Sequence, residues 1–144
     1  MIKACLTPKE LMQHLKTTKG FNRLIDKVKI ISLENGNGLA EFTIEEEHTN
    51  SMGHLNTGCV AHVSDMLSSF AVSTHKLGNA NNFHVSVNMN FELCNPKVKI
   101  GDQVQVHTKL LSWCHTLAFL EILWKNKSTG DIVVKGHHNM LRMK

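Results

Sequence analysis

Apolar residues recur first at helical spacing, then at every second position, then at helical spacing again. Leu11, Met12 and Leu15 form a short stripe behind Thr7-Pro8-Lys9-Glu10. In that start signal Thr7 caps, Pro8 takes the first helical position and Glu10 completes a capping box. The pattern predicts a helix ending near Gly20, with residues 21–26 adding one turn. From Lys27 the period falls to two. Val28, Ile30 and Ser32 alternate with Lys29 and Ile31, and Ala40, Phe42 and Ile44 alternate with Glu41, Thr43 and Glu45. Asn35-Gly36-Asn37-Gly38 between them tolerates positive φ, so the two runs read as a hairpin.

After a polar loop from Glu46 to Leu55, the helical period returns and persists from Asn56 to about Leu77. Val60, Val63, Met66, Leu67 and Phe70 lie three or four apart, with Ala61, Ser68 and Ala71 as small companions. Such a helix of roughly 20 residues is about 30 Å long. Gly78 and the run 79–82 end it. From Phe83 to Phe91 alternation is strict. Phe83, Val85, Val87, Met89 and Phe91 share one face, while His84, Ser86, Asn88 and Asn90 form an uncharged polar face that could meet a partner or a ligand. Pro96 and Gly101-Asp102 mark a turn. Strands follow at about 103–113 and 116–125, then a hairpin loop at 126–131 and a last strand at 132–141. The order is a helix, two strands, one long helix and four strands. It reads as an α+β layer pair in a single domain, residues 1–144, with a mostly antiparallel sheet of about six strands wrapping the apolar helix.

Composition narrows the class. At 144 residues and 42% hydrophobic, the chain can bury a core without disulfides or metals. No apolar run reaches the roughly 18 residues of a membrane span. Met1-Ile2-Lys3-Ala4-Cys5 is not the start of a secretory signal. An intracellular protein, cytoplasmic or mitochondrial, is expected. The net charge of +4 would suit an anionic ligand but names none. The basic residues are scattered and Tyr is absent, which argues against nucleic acid. Cys5, Cys59, Cys94 and Cys114 form no C-x-x-C pair and match no zinc module, so they read as reduced thiols. Cys59 could be activated near a helix start or be a small buried thiol, and burial is the commoner case.

No G-x-S-x-G, P-loop or G-x-G-x-x-G is present, and His137-His138 cannot face the same way on a strand. The informative stretch is Glu45-Glu46-Glu47-His48-Thr49-Asn50, followed by Gly53, Asn56-Thr57-Gly58 and Asp65. A polar loop here enters the long helix, whose first amides lack intrahelical partners and carry the positive end of the dipole. Asn56 is a good N-cap whose side chain would take an amide one or two residues on, leaving the Thr57 N–H to hold an oxyanion. Asp65 is a lone carboxylate on an apolar helix, placed to act as a base or a nucleophile. It stands seven residues beyond Gly58, roughly 10 Å along the axis. If both serve one site, Asp65 must come from a second subunit.

The chain resembles the hotdog-fold acyl-coenzyme A thioesterases over nearly its whole length. The likeness is densest in residues 45–50 (EEEHTN), Gly53-x-Leu55-x-x-Gly58, Asp65, Ser86-Val87-x-Met89-Asn90, Thr116-Leu117-Ala118-Phe119 and Asn126-Lys127-x-Thr129-Gly130. The resemblance implies a hotdog fold, a long helix wrapped by a curved sheet, and homodimers with active sites at the interface, often paired as dimers of dimers. It implies hydrolysis of acyl-coenzyme A without a metal or other cofactor. Asn50 matches the active-site asparagine, Asp65 the carboxylate that activates water, Ser86 a serine that holds it, and Thr57 the position of the oxyanion amide. Coenzyme A is expected against Glu46, Ser86, Leu93, Cys94, Asn95, Pro96, Lys97 and Val98, and against Ser112, Trp113, Cys114, His115, Thr116 and Leu117. The family's His-Gly-Gly is Asn56-Thr57-Gly58 here, and its Gly-Lys before Thr-Leu-Ala-Phe is Cys114-His115. These changes point to reduced activity, because Asn cannot shuttle a proton near neutral pH. They leave a second reading open, a hotdog dimer that holds acyl-coenzyme A and turns it over poorly.

Overall fold

A computed structural model describes residues 7–17, 19–78, 83–95 and 97–143. The first six residues with Cys5, the run 79–82 and Pro96 lie outside the described residues. Helix α1 spans Pro8–Thr17. Its capping box closes both ways: the Thr7 N–H donates to Glu10 Oε2 at 2.8 Å and the Glu10 N–H to Thr7 Oγ1 at 3.3 Å. The helix ends three residues before Gly20, and the extra turn at Phe21–Ile25 is 3₁₀. Strands β1 (Lys29–Glu34) and β2 (Asn37–Thr43) form the expected hairpin. Asn35 and Gly36 both have positive φ, 47° and 85°, so they are the two turn residues, and Asn37 and Gly38 already belong to β2.

Helix α2 spans Thr57–Ser73. It is four residues shorter than the pattern to Leu77, because residues 74–78 tighten into turns. The Thr74 N–H bonds back to Ala71 O and the Gly78 N–H to His75 O. Strands β3 (His84–Leu93), β4 (Gln103–Cys114), β5 (Leu117–Asn126) and β6 (Ile132–Arg142) complete one sheet, ordered β1-β2-β4-β5-β6-β3, with every pairing antiparallel. Helix α2 touches all six strands. Its Val60, Val63, Met66 and Leu67 enter the main core with Ile44, Val104, Ile122 and Trp124. The Trp124 indole, buried there, is satisfied: its N–H donates to buried Ser64 Oγ at 3.0 Å.

The largest departure from the sequence pattern is in β3. The strict alternation placed Val85, Val87 and Phe91 on one face. A bulge between Ser86 and Asn88 inserts an extra residue against β6 and reverses the faces. Before it, Ser86 points at α2; after it, Phe91 packs on the core. Val85 and Val87 are left 43% and 58% exposed. β3 is an edge strand, paired only with β6. It lies close to β6 because of Gly136, where an added Cβ would come within 2.3 Å of Asn90 O and 2.6 Å of the Phe91 ring.

Gly136→Ala should therefore push β3 off β6 and lower stability by about 1–3 kcal/mol, as overpacking does. Urea unfolding followed by circular dichroism measures it. An unchanged midpoint would mean that the two strands already stand apart.

Candidate active site

The loop before α2 is built by its own charged and polar residues. The Glu45 N–H donates to His48 Nδ1 at 2.9 Å, and Lys27 bridges Glu45 and Glu47. His48 is buried, with its ring edge-on to Phe42 at 5.1 Å. Asn50 ties the next turn: its Oδ1 accepts from the Met52 N–H at 2.9 Å and the His54 N–H at 3.1 Å. With the oxygen occupied by backbone, the Asn50 amide nitrogen is the end that remains to donate to a ligand. Thr49 and Leu55 then pair across the loop, delivering the chain to α2.

At the start of α2, Asn56 has extended backbone and its Oδ1 accepts from the Gly58 N–H at 2.7 Å. The cap takes the second amide, as the sequence implies, and Thr57 is the first helical residue, with an amide that has no intrahelical acceptor. The Asn56 oxygen thus serves as the helix cap, and as with Asn50 the amide nitrogen is the end that remains to donate.

Asp65 lies two turns further on, its side chain 40% exposed. Ser86 Oγ donates to Asp65 Oδ1 at 2.5 Å, so α2 and the edge strand β3 hold one carboxylate–hydroxyl pair. The β3 bulge is what turns Ser86 toward the helix. A third group, which the sequence reading passed over, stands beside them. His138 Nε2 is 3.5 Å from Asp65 Oδ1, and its ring is fully buried. His137 and His138 do face opposite ways on β6, His137 outward and His138 inward. The signal that could have found His138 is the alternation of β6 itself, since Val134, Gly136, His138 and Met140 form its buried face. Burial pushes the His138 pKa below its ordinary value, against the pull of Asp65.

Cys59 is a half-buried thiol whose pKa is raised to about 11, by burial first and then by Glu47, so it is the buried-thiol alternative that holds. Among the described residues no group of three or more His, Cys, Asp or Glu could hold a metal, and no helix is long and apolar enough to cross a membrane.

The segments expected to meet coenzyme A lie at opposite ends of β3. Leu93 pairs with Val134, whereas His84 pairs with Arg142, whose N–H bonds Thr116 O at 2.8 Å. The ten residues of β3 separate the two ends by about 30 Å. In the first segment Leu93, Cys94 and Lys97 are exposed and Asn95 is half-buried, but Val98 is in the core and offers only backbone. In the second, Ser112, Cys114 and His115 are exposed, and Thr116 and Leu117 are half-buried. Trp113 is engaged already, its indole N–H on His75 Nδ1 at 3.1 Å and the Arg142 guanidinium 5.6 Å above its ring. Glu46 is exposed, and its carbonyl closes the turn with the Thr49 N–H.

No family model matches the chain. It is 32% identical to acyl-coenzyme A thioesterase 13 of Mus musculus over 130 residues, 90% of either protein. The fold superposes on zebra fish thioesterase superfamily member 2 with a TM-score of 0.86 at 30% identity, covering 97% of this chain and 100% of that one. For thioesterase superfamily member 2 from Mus musculus the TM-score is 0.81 at 30% identity, with 95% and 97% covered.

Four imidazoles, those of His62, His84, His107 and His138, have pKa values below the ordinary 6.5, with burial the first cause in each. The unfolded chain takes up protons near pH 6.5 that the native state refuses. Stability should therefore be fully present above that pH and fall as the pH drops through it. The urea midpoint is expected to decline from pH 7.5 to 5.5, less steeply in His138→Gln. A flat dependence would show these rings protonating as freely folded as unfolded.

Proposed function

The chain belongs to the acyl-coenzyme A thioesterase 13 family of hotdog-fold enzymes, and on that premise we propose how its residues hydrolyse an acyl-coenzyme A thioester. The observation that carries the reading is the Ser86–Asp65 hydrogen bond, set roughly 12 Å along α2 from the Thr57 amide, which has no helical partner. The thioester carbonyl rests on the Thr57 N–H, where the helix dipole favours the oxyanion that forms. The Asn50 amide nitrogen donates to the same group. Water is held by Asp65 and Ser86: one carboxylate oxygen accepts from the serine hydroxyl, and the other takes the water proton as the O–C bond forms. The tetrahedral adduct then collapses, expelling coenzyme A as the thiolate, and the acyl group leaves as the free acid.

A gap of roughly 12 Å along one helix favours a two-chain site, with Thr57 of one copy facing Asp65 and Ser86 of its partner. Edge strand β3 supports the pairing, since it exposes backbone along one side together with Val85 and Val87. Two β3 edges meeting antiparallel around a two-fold axis bring residues 93–98 of one copy to 112–117 of the other. Coenzyme A can then touch both segments, which a single chain holds about 30 Å apart.

Asp65→Asn should lower kcat on the order of 10²-fold with little change in coenzyme A affinity, because it keeps shape and removes the base. An unchanged rate in a thiol-release assay would reduce Asp65 to a solvated helix residue.

Thr57→Pro should cost about 10²–10³-fold by deleting the oxyanion amide, while the helix survives, since Pro suits the first helical position and Asn56 is already extended (ψ 127°). Refolding Thr57→Pro together with Asp65→Asn should restore activity, because mixed dimers carry one site with both groups intact. If the mixture stays as inactive as its components, the site is not shared.

A further inference from the structure

Beside the start of α2 lies a cavity of about 210 Å³, lined by Asn56, Gly58, Cys59 and His62 of the helix and by Phe21, Ile25, Glu47 and His48. A cavity of ~150 Å³ takes a benzene-sized guest, so this one has room for a short acyl tail, and a sixteen-carbon chain overfills it. Phe21 and Ile25 give it an apolar wall, as an acyl group requires, while Glu47, His48, Asn56 and His62 are polar. The His62 Nε2 is buried without a hydrogen-bond partner, and the Phe21 ring packs edge-on against the imidazole with centroids 4.6 Å apart. A buried unpaired nitrogen is destabilising, a deficit that a ligand reaching the same wall can remove. Glu47 is already bridged to Lys27 at 3.2 Å and supplies no free counter-charge for a cationic tail.

We propose that this cavity receives the acyl end of the substrate and that His62 Nε2 pairs with a hydroxyl on it, so that the chain selects short hydroxyacyl groups over long unsubstituted ones. The inference rests on the placement of the thioester carbonyl at the Thr57 amide. His62 stands five residues beyond Thr57, about 7.5 Å further along α2, which puts the hydroxyl several bonds from the carbonyl. A hydroxyl fits whichever tautomer the ring adopts, because it donates to a bare nitrogen and accepts from an N–H. Burial also lowers the His62 pKa, which keeps the ring uncharged and unsuited to an anionic tail.

The test uses the whole protein and non-hydrolysable thioethers of coenzyme A bearing hexyl, 6-hydroxyhexyl and hexadecyl groups, with affinities measured by calorimetry. The hydroxyhexyl thioether should bind about tenfold more tightly than the hexyl one, the worth of one hydrogen bond. His62→Leu should abolish the preference and His62→Gln should retain part of it. Equal affinity for the two short thioethers in the unaltered protein overturns the proposal, as does tightest binding of the hexadecyl compound. The parallel assay with hexanoyl- and 6-hydroxyhexanoyl-coenzyme A separates the two readings. A binding preference without thiol release leaves the pocket standing and removes the hydrolysis. Hydrolysis without a preference does the reverse.

Discussion

Helix α2 buries side chains around most of its circumference, from Val60 and Val63 through Met66, Leu67 and Ser68 to Ala71 and Val72. A flat sheet could cover only one side of it. Six strands at a spacing of ~4.8 Å make a sheet about 24 Å wide against a helix about 10 Å across. For every strand to touch the helix, as all do, the sheet must curl round it. What remains uncovered is the helix start and a narrow strip along the β3 side, and these are where Thr57 and Asp65 lie. The proposed chemistry uses the parts of the helix that its own sheet does not close.

The bulge in β3 makes that strip usable. A regular strand would put Ser86 on the same face as Asn88 and Asn90 and opposite Phe91. With the extra residue, Ser86 bonds Asp65 while Phe91 still seals the core. Gly136 on β6 permits the close approach, and His138, two residues along the same face, backs the carboxylate. The carboxylate thus stands where three elements meet only in the folded chain.

Local signals were readable in the amino-acid sequence. The capping box of α1, the Asn35-Gly36 turn, the Asn56 cap and the apolar stripe of α2 each depend on residues within a few positions of one another, and the structure has all four. The pairing of β3 with β6 joins residues some fifty apart, and neither the bulge nor the approach of His138 leaves a trace in the alternation of a single strand. That His137 and His138 face opposite ways on a strand follows from side-chain alternation, which says nothing of what the inward member meets. The overlong reading of α2 has a similar cause. Residues 74–78 keep helical composition, but tighter turns replace the helix there, and the Thr74 hydroxyl bonds Ala71 O at 2.7 Å.

The strand order has a consequence for how the chain acquires its shape. β3 follows α2 directly in the chain, yet among the described residues its only neighbour in the sheet is β6, which is synthesised after β4 and β5. Closing that loop is entropically slow, and it cannot begin before residues 132–142 exist. While a ribosome is still adding β4 and β5, β3 has both edges open and its valines in water, a state prone to association with other chains. The carboxylate–hydroxyl pair is therefore among the later contacts to form in a newly made molecule, and loss of β6 would leave a nascent chain with its helix core begun but the β3 edge unanchored.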